Sequence, residues 1–396
     1  MRWLVAVALL VGCSKQTCED ITEPATETST DTSTSDEPAG DVARGRALLE
    51  RFECSRCHEG TGATPTREKQ CVGCHRDVLH GEIEAPPDDL ARWQSHLRSL
   101  PVAPDLGGAG RFRREWLVSF LLQPVDLRPH LAATMPRLSL SQEDAEDLSA
   151  YLTRNAPPRG APSTGNAERG ATLFATLPCG SCHLRGGESH GELLDGDART
   201  LAPDLAFVDR MRPDLLVQWL QDPASLHETT RMPSHGLSAQ DASDLAAFLL
   251  QPVALPPTEL PPRLPILERE VRWEEVETRV FRGVCWHCHS DPDLALGDGG
   301  PGNTGGFGYP GRRVDLATHA GVMSGGLDDS GERASLFRNV ELEGETLPLV
   351  VAVLRARQLE EAGRAPTITG MPLGLPAEPP EDIQLLETWI AQGRHR

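Results

Sequence analysis

The residues with the clearest chemistry are cysteines, because eight of the ten fall in four Cys-x-x-Cys-His strings. The two thiols of such a string can form thioether bonds to the vinyl groups of haem, and the adjacent imidazole can bind its iron. At this spacing the three side chains lie on one side of a helical turn. The sequence therefore predicts four covalent haem c (heme c) groups, held by Cys54, Cys57 and His58; Cys71, Cys74 and His75; Cys179, Cys182 and His183; and Cys285, Cys288 and His289.

Zinc is an alternative for the first two strings only. Cys54, Cys57, Cys71 and Cys74 have the spacing of a zinc ribbon. The strings at residues 179 and 285 each lack a second cysteine pair, so zinc does not explain them. Haem attachment is the prediction that accounts for all four strings.

An internal repeat indicates the elements that must position the strings. In residues 43–58 and 168–183 a glycine, Gly45 or Gly170, lies nine residues before the first cysteine, with apolar residues at helical spacing after it. The match continues with VAPDL and LAPDL, an amphipathic helix stopped by proline, a Met-Pro pair and a last helix. Asp41 and Asn166 are the predicted N-caps of the first helices. The repeating unit is therefore all-α.

A third, looser unit follows, and Pro-rich stretches at 155–165 and 251–265 separate the three as semi-rigid spacers. Its beginning is residues 276–289 and its end is residues 370–393, with a Gly-rich stretch between them that lacks a counterpart. No strand-like alternation is long enough to predict a sheet. The predicted organisation is a signal peptide (1–12), an acidic tether (13–40), a dihaem segment (41–156, the first segment), a monohaem segment (157–252, the second segment) and a divergent monohaem segment (253–396, the third segment).

These residues together resemble class I cytochrome c domains, over nearly all of the first two segments and the ends of the third. The resemblance implies an all-α fold of three tandem class I cytochrome c-like helical domains joined by Pro-rich linkers. It also implies that the methionine of each Met-Pro pair is the distal iron ligand, and that the proline of each Pro-Asp-Leu string accepts a hydrogen bond from the proximal imidazole. The first and last helices are expected to cross at the glycine, beside an aromatic residue. The positions implied are Met135, Met232 and Met371; Pro104 and Pro203; and Tyr151, Phe248 and Trp389.

The third segment departs from this pattern in two ways. Its equivalent string, RRVDL at 312–316, lacks the proline, and Met323 competes with Met371 as distal ligand. Met371 is favoured because a helix with an aromatic residue follows it. Met211, by contrast, is expected to fill the core.

The string at Cys71 belongs to an insertion. His58 and Met135 are 77 residues apart, whereas His183 and Met232 are 49 apart, an excess of 77 − 49 = 28. Since the resemblance gives Met135 to the first haem, a histidine is expected on the distal side of the inserted haem. His96 is favoured over His80, His130 is a third candidate, and an open iron is the remaining alternative.

The N-terminus predicts export and a lipid anchor. Arg2 is followed by an apolar stretch too short to span a bilayer. Its end, Leu-Val-Gly-Cys, resembles a bacterial lipobox in which Cys13 is lipidated, and Ser14 favours the outer membrane by analogy with sorting rules. Residues 19–39 hold seven acids and no bases, which is typical of a flexible tether. Cys18, in that tether, has no predicted role.

The net charge of −20 argues against a nucleic-acid partner. Taken together, the features predict a lipid-anchored periplasmic tetrahaem electron carrier, rather than an enzyme, acting between periplasmic or membrane redox proteins. A haem peroxidase that uses an open-coordination haem in the first segment is the alternative. A tetrahaem photosynthetic reaction-centre subunit is disfavoured, because in that family the methionines precede their haem strings. A haem-based sensor is the third alternative, although no signalling domain accompanies the strings.

Overall fold

The computed structural model describes residues 40–65, 70–97, 103–131, 135–160, 164–228, 230–291 and 309–396, all within one compact unit. The predictions for the signal peptide, Cys13, Cys18 and the tether lie outside the described residues, as does most of the Gly-rich stretch. Among the described helices, none is both long and apolar enough to cross a membrane.

The described residues of the first segment form five α-helices, and two of these lie in the inserted stretch. The first helix begins where predicted, since the Asp41 side chain accepts hydrogen bonds from the backbone N–H groups of Ala43 and Arg44 at 2.7 and 3.0 Å. The last helix begins with a capping box between Ser141 and Asp144. The bounds are α1 (Val42–Arg51), α2 (Cys71–His80), α3 (Pro87–His96), α4 (Arg114–Leu122) and α5 (Gln142–Leu152).

The second segment repeats this frame without the inserted helices. Asn166 is the N-cap of its first helix, as predicted, and accepts from the Arg169 N–H at 3.0 Å. A short hairpin of β1 (Leu184–Arg185) and β2 (Glu188–Ser189) follows the haem string. The helices are α6 (Ala167–Thr176), α7 (Asp197–Leu201), α8 (Pro213–Gln221), α9 (Pro223–Leu226) and α10 (Ala239–Leu249).

The first and last helices of both segments cross at the predicted glycines. A Cβ at Gly45 would lie 2.0 Å from the Asp147 carbonyl oxygen, and one at Gly170 would lie 2.0 Å from that of Asp244. Only glycine allows such an approach of two helix backbones. The next contacts are the Cβ atoms of Tyr151 and, in the second segment, its counterpart Phe248, each at 2.8 Å. The predicted crossing is therefore confirmed in both segments.

The third segment differs from the all-α prediction. Its first helix, α11 (Trp273–Val276), continues as a π-helix, Glu277–Cys285, up to the haem string. The long buried helix at Leu349–Glu361 precedes Met371 and packs on the last helix, as α4 and α8 do in the other segments. Neither it nor the hairpin before it was predicted, because residues 317–369 do not align in sequence with the repeat. The remaining elements are α12 (Tyr309–Arg312), α13 (His319–Ser324), β3 (Gly326–Leu327), β4 (Arg333–Ala334), β5 (Asn339–Leu342), β6 (Glu345–Pro348), α14 (Leu349–Glu361) and α15 (Pro380–Ala391). The chain is thus mostly helical, with three two-stranded hairpins among its described residues.

Most buried apolar residues of the described chain fall in three clusters, one in each segment, and hydrogen bonds join the segments. Between the first two, the Arg113 N–H donates to the Arg210 carbonyl and the Arg212 N–H donates to the Arg111 carbonyl, both at 2.9 Å. Arg111 and Arg113 are the repeat equivalents of Arg210 and Arg212, so the two bonds are the same contact made in both directions, as at the interface of a symmetric dimer. The Pro-rich stretch after the first segment is held as well, because the Arg212 guanidinium donates to the carbonyls of Pro157 and Pro158.

Candidate haem-binding sites

Three of the four Cys-x-x-Cys-His strings share one backbone turn. In each, the histidine N–H donates to the carbonyl of the first cysteine, at 2.9 Å for His58, 3.0 Å for His183 and 2.9 Å for His289. The fourth string instead begins helix α2, with Cys71 as its first residue. Both arrangements are helical at the string, so the two thiols and the imidazole lie on one side of the turn, as haem attachment requires. None of the eight cysteines, all of which the structure describes, forms a disulfide.

The predicted hydrogen bonds from proximal imidazoles to proline carbonyls are present. Nδ1 of His58 lies 2.8 Å from the Pro104 carbonyl oxygen, and Nδ1 of His183 lies 2.7 Å from that of Pro203. A carbonyl only accepts, so Nδ1 must carry the proton, and the lone pair of Nε2 is left for a metal. Such a bond fixes the orientation of a ligating ring.

In the third segment Val314 stands in place of this proline. The Val314 carbonyl raises the pKa of His289, but burial lowers that pKa by more, to about 4. Nδ1 of His289 is buried without a partner at ordinary hydrogen-bond geometry. Burial also lowers the pKa of His58 and His183, so all three rings are neutral at neutral pH, the form that binds a metal.

The aspartate of each Pro-Asp-Leu string is a functional residue that sequence reasoning missed. Asp204 is 2% exposed and accepts three backbone N–H groups, from Gly186, Gly187 and Ala206, at 2.7 to 2.8 Å. Asp204 thereby links the hairpin turn after the haem string to the segment that follows Pro203, whose carbonyl accepts from His183. Asp105 accepts from the Gly107 N–H at 2.6 Å. The repetition of the whole Pro-Asp-Leu string was the available signal.

All four strings border one continuous cavity of about 1540 Å³. Pockets for single small ligands measure about 300–1,000 Å³, so this cavity exceeds one ordinary ligand site. The three predicted distal methionines also line it. The lining includes Cys54, Cys57, His58, Cys71, Cys74, His75, Met135, Cys179, Cys182, His183, Met232, Cys285, Cys288, His289 and Met371.

The methionines differ in their surroundings. The Trp219 indole N–H donates to Sδ of Met232 at 3.0 Å, whereas the first segment has phenylalanine at the equivalent position, Phe120. Met371 packs against the core of the third segment and borders the cavity. Its competitor Met323 is 41% exposed and does not line the cavity. This placement favours Met371.

Met211 is core, as expected, at 4% exposed. It packs in the apolar cluster of the second segment and borders the cavity without being followed by proline.

Buried guanidinium groups line the same cavity, and they provide a test of whether a haem fits it. Burial lowers the pKa of Arg111 and of Arg210 to about 10, and it lowers the pKa of Arg128 as well. Arg111 and Arg210 each donate to a carbonyl three residues earlier, that of Gly108 and that of Phe207. Desolvated cations gain most from carboxylate partners, and a haem carries two propionates. The cavity therefore offers what haem c needs: cysteine thiols for attachment, oriented neutral imidazoles and methionine sulfurs for the iron, and guanidinium groups for the propionates.

The histidines proposed for the distal side of the inserted haem are placed as follows. His80 is exposed at the end of α2, and it does not line the cavity. His96 is the last residue of α3, and its side chain lies outside the described residues. Nε2 of His130 is buried without a hydrogen-bond partner, and His130 does not line the cavity.

A zinc ribbon would bring the first four cysteines around one point. Among the described residues, no three or more His, Cys, Asp or Glu side chains are grouped as metal ligands in that way. The four-cysteine arrangement that distinguishes the zinc alternative is therefore not seen.

Comparison with known proteins adds one match. Residues 167–252 match the family model described as Cytochrome c. No curated protein and no solved structure matches the chain. The matched residues are those of the second segment, where the string, the Pro203 carbonyl and Met232 surround the cavity. Geometry and family match together support a cytochrome c domain in residues 167–252, which implies covalently bound haem c and suggests electron transfer through it.

Proposed function

We propose that the chain is a membrane-anchored periplasmic tetrahaem cytochrome c that passes single electrons between redox partners. The observation that carries the proposal is the single cavity bordered by all four Cys-x-x-Cys-His strings. Haems held against one continuous cavity would lie near one another, which would allow electrons to pass between them without a diffusing carrier. The family match gives no support to the peroxidase alternative.

Each haem has a proposed ligand set. Haem chemistry supplies a one-electron couple when the group is bound, and the residues of the chain set its potential. We propose His58 with Met135, His183 with Met232 and His289 with Met371 as three His/Met pairs. The haem at Cys71, Cys74 and His75 is proposed to have two histidine ligands. Because methionine ligation raises the potential relative to two histidines, three haems are expected at higher potential and one at lower potential.

The anchor and location are proposals from the sequence. Lipidation of Cys13 and an acidic tether would hold the haem segments near a membrane on the periplasmic side, the outer membrane being favoured. The partners are proposed to be periplasmic or membrane redox proteins, guided by the acidic charge. A Cys13→Ser variant should leave the membrane fraction, and a variant that stays membrane-bound would contradict the lipid anchor.

The haem count is tested by intact mass and by haem absorbance of the protein made in a host that attaches haem c. Four haems per chain are expected. A Cys71→Ser/Cys74→Ser double variant should carry three, and a matched Cys179→Ser/Cys182→Ser variant should also carry three. A double variant at Cys71 and Cys74 that loses zinc and no haem would establish the zinc alternative for that region.

A further inference from the structure

Two histidine rings from different segments lie close together in the lining of the cavity. The ring centroids of His75 and His287 are 5.9 Å apart, with an angle of 50° between the ring planes. His75 is the predicted proximal ligand of the inserted haem, on helix α2. His287 lies in the third segment, between the two cysteines of the string Cys-Trp-His-Cys-His. Both rings line the cavity.

The separation suits two ligands of one iron. Bonds from a transition metal to imidazole nitrogen are about 2 Å long, so two rings on opposite sides of one metal have centroids roughly 6 Å apart. Direct contact between two aromatic rings spans about 4.5–7 Å and would also accommodate the distance. The surroundings of the two rings therefore have to distinguish a shared iron from a plain ring contact.

The surroundings favour a shared iron. Cys71 and Cys74, the attachment residues of the inserted haem, border the cavity beside His75. Of the two other candidates whose side chains the structure describes, His80 is exposed, and neither it nor His130 lines the cavity. No sequence spacing pointed to His287, because it belongs to a different repeat.

The first and third segments are also packed together in ways that do not involve these rings. The Gln123 side-chain amide donates to the Gly363 carbonyl at 2.6 Å, and the Arg137 guanidinium donates to the carbonyl of Pro366. The π-helix Glu277–Cys285 leads directly into the string that holds His287, and such helices are frequent at functional sites. Two thioether bonds beside His287 would hold its backbone in place, as a preorganised ligand requires.

We propose that His287 is the distal ligand of the haem attached to Cys71 and Cys74, an inference that rests on the proposed function. One short peptide would then bind two haems, one through its cysteines and His289, and the other through His287. This ligand crosses between segments, so it couples the redox state of the inserted haem to the packing of the first segment on the third.

The test is a His287→Ala variant of the full-length, four-haem protein, with His395→Ala, a surface histidine of the same segment, as the control. Ferric electron paramagnetic resonance and visible absorbance report the spin state of each haem. One of the four haems is expected to change from low spin to high spin in His287→Ala, and added imidazole should restore it. A His287→Met variant should stay low spin, with the lowest of the four potentials raised. The His395→Ala protein should match the unaltered protein.

Two kinds of result would overturn the inference. Four low-spin haems in His287→Ala, or the same spin change in a His96→Ala variant, would place the ligand elsewhere. A high-spin haem at Cys71 and Cys74 in the unaltered protein would mean that its iron has no distal ligand. Haem count by mass separates this inference from the proposed function. Fewer than four haems in the unaltered protein would overturn both, whereas four haems with no spin change in His287→Ala would overturn this inference alone.

Discussion

Replacing Gly170 by alanine tests the helix crossing on which the haem site of the second segment depends. The added Cβ would lie 2.0 Å from the Asp244 carbonyl oxygen and 2.8 Å from the Phe248 Cβ, where ordinary contact begins at 3.4 Å. The nearest atoms are backbone, which no side-chain rotation can move, so α6 and α10 must separate by 3.4 − 2.0 = 1.4 Å. Overpacking of this kind costs about 3 kcal/mol at its upper range, offset by about 1 kcal/mol for the better helix propensity of alanine. We expect a net loss of about 2 kcal/mol.

The assay is denaturant unfolding of the haem-loaded protein, followed by haem absorbance and by helical circular dichroism. Gly311→Ala is the matched control, since among the described residues a Cβ there meets nothing within 4 Å. The control should be neutral or slightly stabilised. If Gly170→Ala unfolds at the same denaturant concentration as the control, the close crossing of the two helices is wrong.

Three further predictions concern the surroundings of the haems. Trp219→Phe removes the N–H that donates to the Met232 sulfur and would draw electron density from a bound iron. The reduction potential of the haem in the second segment should therefore fall by about 20–40 mV, the equivalent of about 0.5–1 kcal/mol for one electron. An unchanged set of potentials would contradict this. Asp204→Ala leaves three backbone N–H groups without their buried acceptor and should lower the free energy of unfolding by about 2–4 kcal/mol. A loss no larger than that for an exposed aspartate of the same segment would show that Asp204 does not hold the loop in place. Met371→Ala should remove the spectrum of one methionine-ligated haem and Met323→Ala should not, whereas the reverse result would exchange the two ligands.

Much of the second segment was predictable because its functional residues are set by local spacing. The glycine nine residues before the cysteines, the string itself and the Pro-Asp-Leu proline each recur in the first segment, so the repeat identifies them. The crossing at Gly170 and the hydrogen bond from His183 to Pro203 then appear as expected. The crossing needs a residue without a Cβ, which only glycine provides, and the hydrogen bond needs a backbone carbonyl at a position that the repeated string marks.

The third segment shows where such reasoning fails. Helix α14 lies before the Met-Pro pair and packs on the last helix, as α4 and α8 do, but the sequence of residues 317–369 does not align with the repeat, so neither α14 nor the β5–β6 hairpin was predicted. Val314 stands where the other two segments have a proline, so the residue type no longer marks the carbonyl beside the proximal histidine, although the RRVDL string could still be aligned. His287 was missed for a different reason: its approach to His75 is a tertiary contact between segments, and no period along the chain encodes it.

The most direct test of four haems with two kinds of ligation is a potentiometric titration of the purified protein, with optical and paramagnetic resonance detection. We expect four one-electron haems, three with methionine-ligated spectra at higher potential and one with a bis-histidine spectrum at lower potential. Four matching steps with one type of spectrum, or fewer than four haems, would contradict this expectation.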